Sequence, residues 1–329
     1  MEKSYATGIL AKVKKQRSIT SVAAFAVLFV ILAFTANNFL SAGNWSNIVK
    51  QTAVVGCSAV GMTFVIITAG IDLSVGSIQA FCCVLCAQTL LNFGTDPNSP
   101  VAIISAIVVA VLCSAVLGAI NGVLVANLKL PAFIVTFGMM GAARGAALLY
   151  TNGGSISIRD SPTFRGIAEA RIVGFPVPGI IMIVLFAVGW ILLNKTRFGY
   201  YVFAVGGNEE ASRLSGINTK FVLLVVYIIS GLCTGIGSVI LVARLGTGQP
   251  ISGDGLEMDA IAATVIGGTS LSGGRGSLFG TFVGAFFIIL IKNGLNLLNI
   301  NAYWQEVAVG VAVVVAVAID ATLSNRRKA

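Results

Sequence analysis

The sequence has no histidine and very little charge. The first absence removes Ser-His-Asp and Cys-His nucleophile systems and the common zinc sites together. Charged residues make up 10% of the 329 positions, against about 25% in a soluble domain. That is too few to cover the surface of a soluble body this size. Disorder is excluded as well, because it requires low hydrophobicity, and 57% of these residues are hydrophobic with a mean hydropathy of +0.95. A phosphate-cradling P-loop, Gly-x-x-x-x-Gly-Lys-Ser/Thr, is also missing. The six cysteines, Cys57, Cys82, Cys83, Cys86, Cys113 and Cys233, all fall in apolar stretches. They imply no disulfide framework and read as small buried hydrophobes. Cys82-Cys83-x-x-Cys86 has neither a partner pair nor a histidine, which disfavours a metal there. No catalytic residues and no metal site are expected.

A chain solvated by lipid must satisfy its backbone internally, and apolar runs of about 20 residues each cross once as helices. The expectation is an all-α polytopic membrane bundle, a single domain over 1–329. About ten spans are expected, at 19–36, 48–69, 73–92, 100–127, 131–150, 176–194, 220–243, 256–270, 278–298 and 302–320. The run from Ile19 to Ala36 is long for a signal peptide and ends in Asn37-Asn38-Phe39 rather than a small-x-small site. It reads as a retained first span. The 38 glycines fit helices that approach closely in lipid.

The net charge of +9 could suggest nucleic acid, but in a membrane protein the placement of Lys and Arg sets orientation. With the N-terminus inside, Lys3, Lys12, Lys14, Lys15, Arg17, Lys129, Lys195, Arg197, Arg213, Lys220, Arg275, Arg326, Arg327 and Lys328 fall inside. Outside are Lys50, Arg144, Arg159, Arg165, Arg171, Arg244 and Lys292. Both termini are thus expected in the cytoplasm. The tails 1–19 and 321–329, the loop 195–219 and the Gly-rich 268–277 join them there, and 151–175 is the long outer loop. Arg144 and Lys292 lie within spans, and snorkelling to the interface is the default for them. Tyr303 and Trp304 suit an aromatic belt at the outer surface.

The inner loop contains a short capped helix. Asn208 suits the N-cap, Glu209 and Glu210 place negative charge in the first turn, and Gly216 suits the stop. This is either an inert surface helix or a docking element for a cytoplasmic partner. Glu210-Ala211-Ser212, three residues, then Gly216 resembles the Glu-Ala-Ala-x-x-x-Gly motif of ABC importer permeases. The wider sequence resembles their sugar-importing, ribose-permease-like branch. The strings Ala69-Gly70-Ile71-Asp72-Leu73-Ser74-Val75-Gly76-Ser77, Ala119-Ile120-Asn121-Gly122, Ile266–Ser277 and Asn293-Gly294-Leu295-Asn296-Leu297-Leu298 agree, in the family's order over about 20 to 320. Ser212 replaces the motif's second Ala, a small-for-small change.

The resemblance implies a permease subunit in the bacterial inner membrane that imports a monosaccharide, ribose or similar. It implies a second permease chain, identical or related, a cytoplasmic ABC ATPase that binds the ATP, and an extracytoplasmic sugar-binding protein. It assigns ATPase coupling to Glu209, Glu210, Ala211, Arg213 and Gly216. The permease itself needs no cofactor and no nucleic acid. Leu271-Ser272-Gly273-Gly274-Arg275 reads like an ABC ATPase signature, but without a P-loop it is better taken as a Gly-rich inner turn. Gly70-x-x-Leu73-Ser74-x-Gly76 echoes Gly268-x-x-Leu271-Ser272-x-Gly274, as a duplicated hairpin would.

Asp72, Ser74, Asn121, Asn293 and Asn296 are candidate pathway residues. Asp72 reads either as an N-cap or as a functional acid near membrane depth. Asn293, Asn296 and Asn299 share a helix face. Such amides either bond between helices or line a route for a hydroxylated solute, since they both donate and accept. Rival readings are a permease for a nucleoside or branched-chain amino acid, and an ion-coupled secondary transporter. The latter is disfavoured because most acids fall in loops or near span ends.

Overall fold

The computed structural model describes residues 22–92 and 96–325; the tail 1–19 and residues 326–329 lie outside them. The elements are α1 (Val22–Thr35), α2 (Ala42–Ile67), α3 (Val75–Asn92), α4 (Pro100–Leu128), α5 (Ala132–Thr151) and α6 (Pro162–Glu169). There follow α7 (Val177–Lys195), α8 (Arg197–Gly207), α9 (Glu209–Leu214), α10 (Thr219–Leu245), α11 (Leu256–Ile266), α12 (Leu278–Leu297) and α13 (Ala302–Asn325). Two-residue strands occur only at one end among the described residues. There β1 (Ile156–Ser157) pairs antiparallel with β4 (Thr247–Gly248), and β2 (Arg171–Ile172) with β3 (Phe175–Pro176). This end, which also carries α6, is called the α6 end; the opposite one carries α9.

The fold is an all-helical polytopic membrane bundle. Among the described residues seven helices, α2, α3, α4, α5, α7, α10 and α12, are long and apolar enough to cross a bilayer. Val22–Thr35 and Ala302–Val315 are shorter apolar helices. The helices start where the sequence supplies caps. Ser41, Ser99, Asn218 and Ser277 each accept a backbone N–H of the first turn of α2, α4, α10 and α12, which satisfies donors that lipid could not.

The expected span 256–270 needs correction. Its helix, α11, has 11 residues and reaches about 16 Å at 1.5 Å per residue, half of the roughly 30 Å hydrocarbon core. The other half of the crossing is non-helical. From Gly246, whose carbonyl accepts the Ile158 N–H at the α6 end, the chain descends beside α3. A Cβ on Gly248 would strike Cys83 and Ala87, and one on Gly253 would strike Gly76. Positive φ at Gly246, Gly253 and Gly255 makes the turns that no L-residue takes cheaply. The loop 195–219 also differs from expectation, since Arg197–Gly207 forms α8 ahead of the short helix.

Close approach is built from small residues. α4 buries Ala102, Ala106, Ala110, Ser114, Gly118, Gly122 and Ala126, a stripe along one side. Against it lies α10, with Gly231 and Gly235 facing Ser114 and Val111. Ser114 Oγ donates to the Gly231 carbonyl at 2.6 Å. The opposite side of α4 exposes Val101, Ile104, Val108, Leu112 and Val116, as a lipid face should. α11 and α12 form a similar pair, in which Cβ atoms on Gly280 and Gly284 would meet the carbonyls of Gly267 and Ala263. Gly284→Val therefore forces α11 off α12, at about 1–3 kcal/mol. Thermal unfolding in detergent should show a lower midpoint for Gly284→Val, and an unchanged one for Gly43→Ala, which has open space around it.

Candidate functional site: a short exposed helix and its junction

At the α9 end, Asn208 Oδ1 accepts the Ala211 N–H at 2.9 Å and so starts α9. The helix stops as the sequence suggests. The N–H of Ile217 bonds the Ser212 carbonyl, and Gly216 has φ +84°, the left-handed turn that glycine supplies at a helix end. Glu210 and Arg213 form a fork at 3.1 and 2.6 Å. The Arg213 hydrogen bond holds the Glu210 carboxyl below the usual range, and Glu210 in turn raises Arg213. Both are open to solvent, so the pair adds little stability. Leu214 is 76% exposed, an apolar side chain at the tip of a polar helix. Ser212 is buried, which explains why the motif asks for a small residue there. A cleft of about 630 Å³ opens beside α9, lined by Glu209, Glu210, Arg213, Lys129, Leu130 and Lys220 among others. The five predicted coupling residues thus sit together on one short exposed element.

What α9 rests on was not read from the sequence. The last turn of α8 lies against the end of α2 at Ile67 and against the Gly-rich turn 267–277, which in turn meets Ala69 of the turn 68–74. The Gly274 N–H donates to the Ile67 carbonyl at 2.8 Å. A Cβ on Gly206 would collide with that same carbonyl and with the Gly274 nitrogen; one on Gly273 would collide with the Gly206 carbonyl. Backbone therefore touches backbone among α8, the turn after α2 and the turn before α12. The two turns that echo each other in sequence each join a pair of helices and meet at this junction. The signal was present in Gly206-Gly207 directly before Asn208, but only contact shows what those glycines admit.

The predicted pathway residues separate into two groups. Asp72, Ser74 and Asn121 form one buried network. Asn121 Nδ2 donates to Ser74 Oγ at 2.9 Å, Ser74 donates its N–H and hydroxyl to Asp72 Oδ1, and Ser230 of α10 donates to Asp72 Oδ2 at 2.8 Å. Asp72 is 1% exposed and Ser74 and Asn121 are fully buried. Asp72 accepts from Ser74 just before α3 and from Ser230 midway along α10, and so ties the start of α3 to α10. Asn293 lies near the other end of the bundle, in a reciprocal amide pair with Asn44 of α2 at 2.8 and 3.1 Å. Asn296 is exposed, and Asn299 lies beyond α12 in left-handed backbone. The structure does not bring these asparagines to the Asp72 network.

Two cations depart from snorkelling. Arg144 Nη1 donates to the carbonyls of Pro250 at 2.6 Å and Ser252 at 2.8 Å, holding the non-helical segment against α5. Lys292 pairs with buried Asp259 at 2.7 Å and approaches Glu306 at 3.6 Å.

Comparison with known proteins agrees with this geometry. The family model "Branched-chain amino acid transport system / permease component" matches residues 44–317. The ribose import permease of Escherichia coli K12 is 41% identical over 91% of this chain and 92% of its own length. Its Bacillus subtilis counterpart is 41% identical over 89% of each, and the D-allose transport system permease of E. coli is 38% identical over 92% and 91%. No solved structure matches the chain. A polytopic bundle with these matches along almost its whole length belongs to the permease family of ABC importers.

Proposed function

We propose that this chain is the permease of a monosaccharide importer, for ribose or a similar sugar, in the cytoplasmic membrane of a bacterium. Similarity to ribose and allose permeases over nearly the full chain supports the solute class. The family description names branched-chain amino acids, and that solute class is the alternative. The observation that carries the mechanism is α9, exposed, closed by a left-handed Gly216 and following directly on the Gly206-Gly207 junction. A cytoplasmic ATPase binds α9 and its cleft, a sugar-binding protein meets the α6 end, and a second permease chain completes the core. ATP is bound by the ATPase, and this chain carries no cofactor. Movement of α9 passes through Gly206 to the turns 68–74 and 267–277. From there it reaches the Asp72 network and the α11–α12 pair. The permease contributes two packings whose balance the ATPase biases.

The test is uptake of labelled ribose by vesicles holding the permease, ATPase and binding protein, with excess unlabelled leucine or adenosine as competitors. ATP-driven ribose uptake that neither competitor reduces is expected; leucine-sensitive uptake in its place defeats the sugar reading.

Docking and transmission are separable by mutation. Gly216→Val strains a left-handed position by about 1–3 kcal/mol, and Glu210→Arg removes the fork. Both should lower co-purification of the ATPase and uptake together. Gly206→Val leaves α9 itself intact but pries α8 from the turns. ATPase co-purification should persist while uptake falls about tenfold or more. Full transport in all three variants defeats the coupling role.

Orientation has its own check. A reporter active only outside the cell should be silent when fused at Ala329 and active when inserted at Asp160, in the loop before α6. The reverse pattern overturns the cytoplasmic placement of α9.

A further inference from the structure

α10 carries two unlike faces. Gly231 and Gly235 meet α4, while Ser230 and Gly237 meet α2 and α3, with Thr234 between them at helical spacing. Ser230 bonds Asp72 there. Two turns further along, a Cβ on Gly237 would stand 2.9 Å from Gln79 Nε2 of α3, 3.3 Å from the Val54 carbonyl oxygen of α2 and 3.6 Å from Ser58 Oγ of α2. An amide donor, a carbonyl acceptor and a hydroxyl thus converge from two helices on one point that no side chain fills, because residue 237 is glycine.

These groups are deeply buried and lack partners. Ser58, Gln79 and Thr234 are fully buried. Among the described residues, Ser58 Oγ, Thr234 Oγ1 and both polar atoms of the Gln79 amide have no hydrogen-bond partner. A glutamine amide has two donors and an acceptor with two lone pairs, and a buried amide that uses none of them is costly. An apolar side chain of that size would avoid the cost altogether. A serine within a helix commonly turns its hydroxyl back to the carbonyl four residues earlier. Ser58 makes no such bond to Val54, which keeps its hydroxyl available to a third group.

We propose that one ordered water molecule is bound over Gly237 as a fixed part of the bundle. It accepts from Gln79 Nε2, donates to the Val54 carbonyl and shares a third bond with Ser58 Oγ. Three bonds are usual for a buried water. The bridge ties α2 to α3 across the face of α10 without direct contact between their polar groups. Gly237 is required because a methyl group there takes the water's place and offers no hydrogen bond. The site also bears on the break ahead of α11, since Gln79 Oε1 lies 3.1 Å from where a Cβ on Gly253 would stand. Gln79 is therefore a positioning residue. The water fixes one end of its amide, and the other end lies against the non-helical segment. This holds whatever solute the chain carries.

The experiment uses the full chain in lipid nanodiscs. Its probe is Cys83, fully buried one turn beyond Gln79, with its thiol 3.5 Å from the Ser238 carbonyl. Brief X-ray irradiation makes hydroxyl radicals from bound water in place, and these oxidise thiols beside it. Mass spectrometry should find Cys83 oxidised in wild type and about fivefold or more slowly in Gly237→Ala. Met258, half exposed, should oxidise alike in both. Gln79→Leu should slow Cys83 oxidation in the same way, which keeps the test open if Gly237→Ala does not assemble. Thermal unfolding of Gln79→Leu gives a sign. Loss of the bridge lowers the midpoint by about 2–4 °C, whereas replacing an amide that had no partner raises it. A silent Cys83 in wild type, equal oxidation in the variants, or an unchanged or raised midpoint for Gln79→Leu overturns the proposal.

Discussion

Lipid accepts no hydrogen bonds, and the architecture follows from that one constraint. It forces the chain into helices, and it dictates where the helices can break. The break ahead of α11 is covered by α3 on one side and braced by Arg144, whose guanidinium supplies donors to two carbonyls that helix geometry no longer satisfies. The Asp72 carboxylate is held in the interior by three donors from two chain segments. A deeply placed carboxyl group is thus accommodated by accepting hydrogen bonds from groups that would otherwise lack a partner.

Between helices the same solvent removes the usual driving force, because a lipid tail is as apolar as a leucine. Close packing and interior hydrogen bonds take its place. Glycine is used where backbone must touch backbone, along α4–α10, along α11–α12 and at the junction under α9. The junction differs from the other two because it joins three separate segments. A helix pair can tolerate some slippage along its groove, but a three-way backbone contact moves as a unit. That makes it suited to passing a displacement from a surface helix into the bundle.

Much of this was legible in the sequence. The long apolar runs became α2, α3, α4, α5, α7, α10 and α12 because an unbroken apolar stretch in lipid has no other stable form. The α9 cap, its acids and the Gly216 stop were legible because they are local rules within a few residues. The segment 256–270 was not, because a half-crossing and a full one share the same composition over α11. Its acids Glu257 and Asp259 in the first turn were the available sign that the helix begins inside the bundle. Lys292 and Arg144 read as snorkelling residues because their partners, Asp259 and the Pro250 and Ser252 carbonyls, lie far away in sequence. The division of the asparagines into two unrelated groups was hidden for the same reason, since Asn293 meets Asn44 only through the packing of α12 on α2.

The small-residue stripe of α4 also has a thermal consequence. Contacts between helices inside lipid gain nothing from releasing water, so their strength depends on dispersion and hydrogen bonds, which do not fade on cooling. The exposed Leu214 at the tip of α9 faces water, and any surface that covers it is held partly by the hydrophobic effect, which weakens in the cold. Chilling therefore acts unequally on this molecule. It leaves the α4–α10 spine as tight as before and weakens the hydrophobic share of any contact made through Leu214.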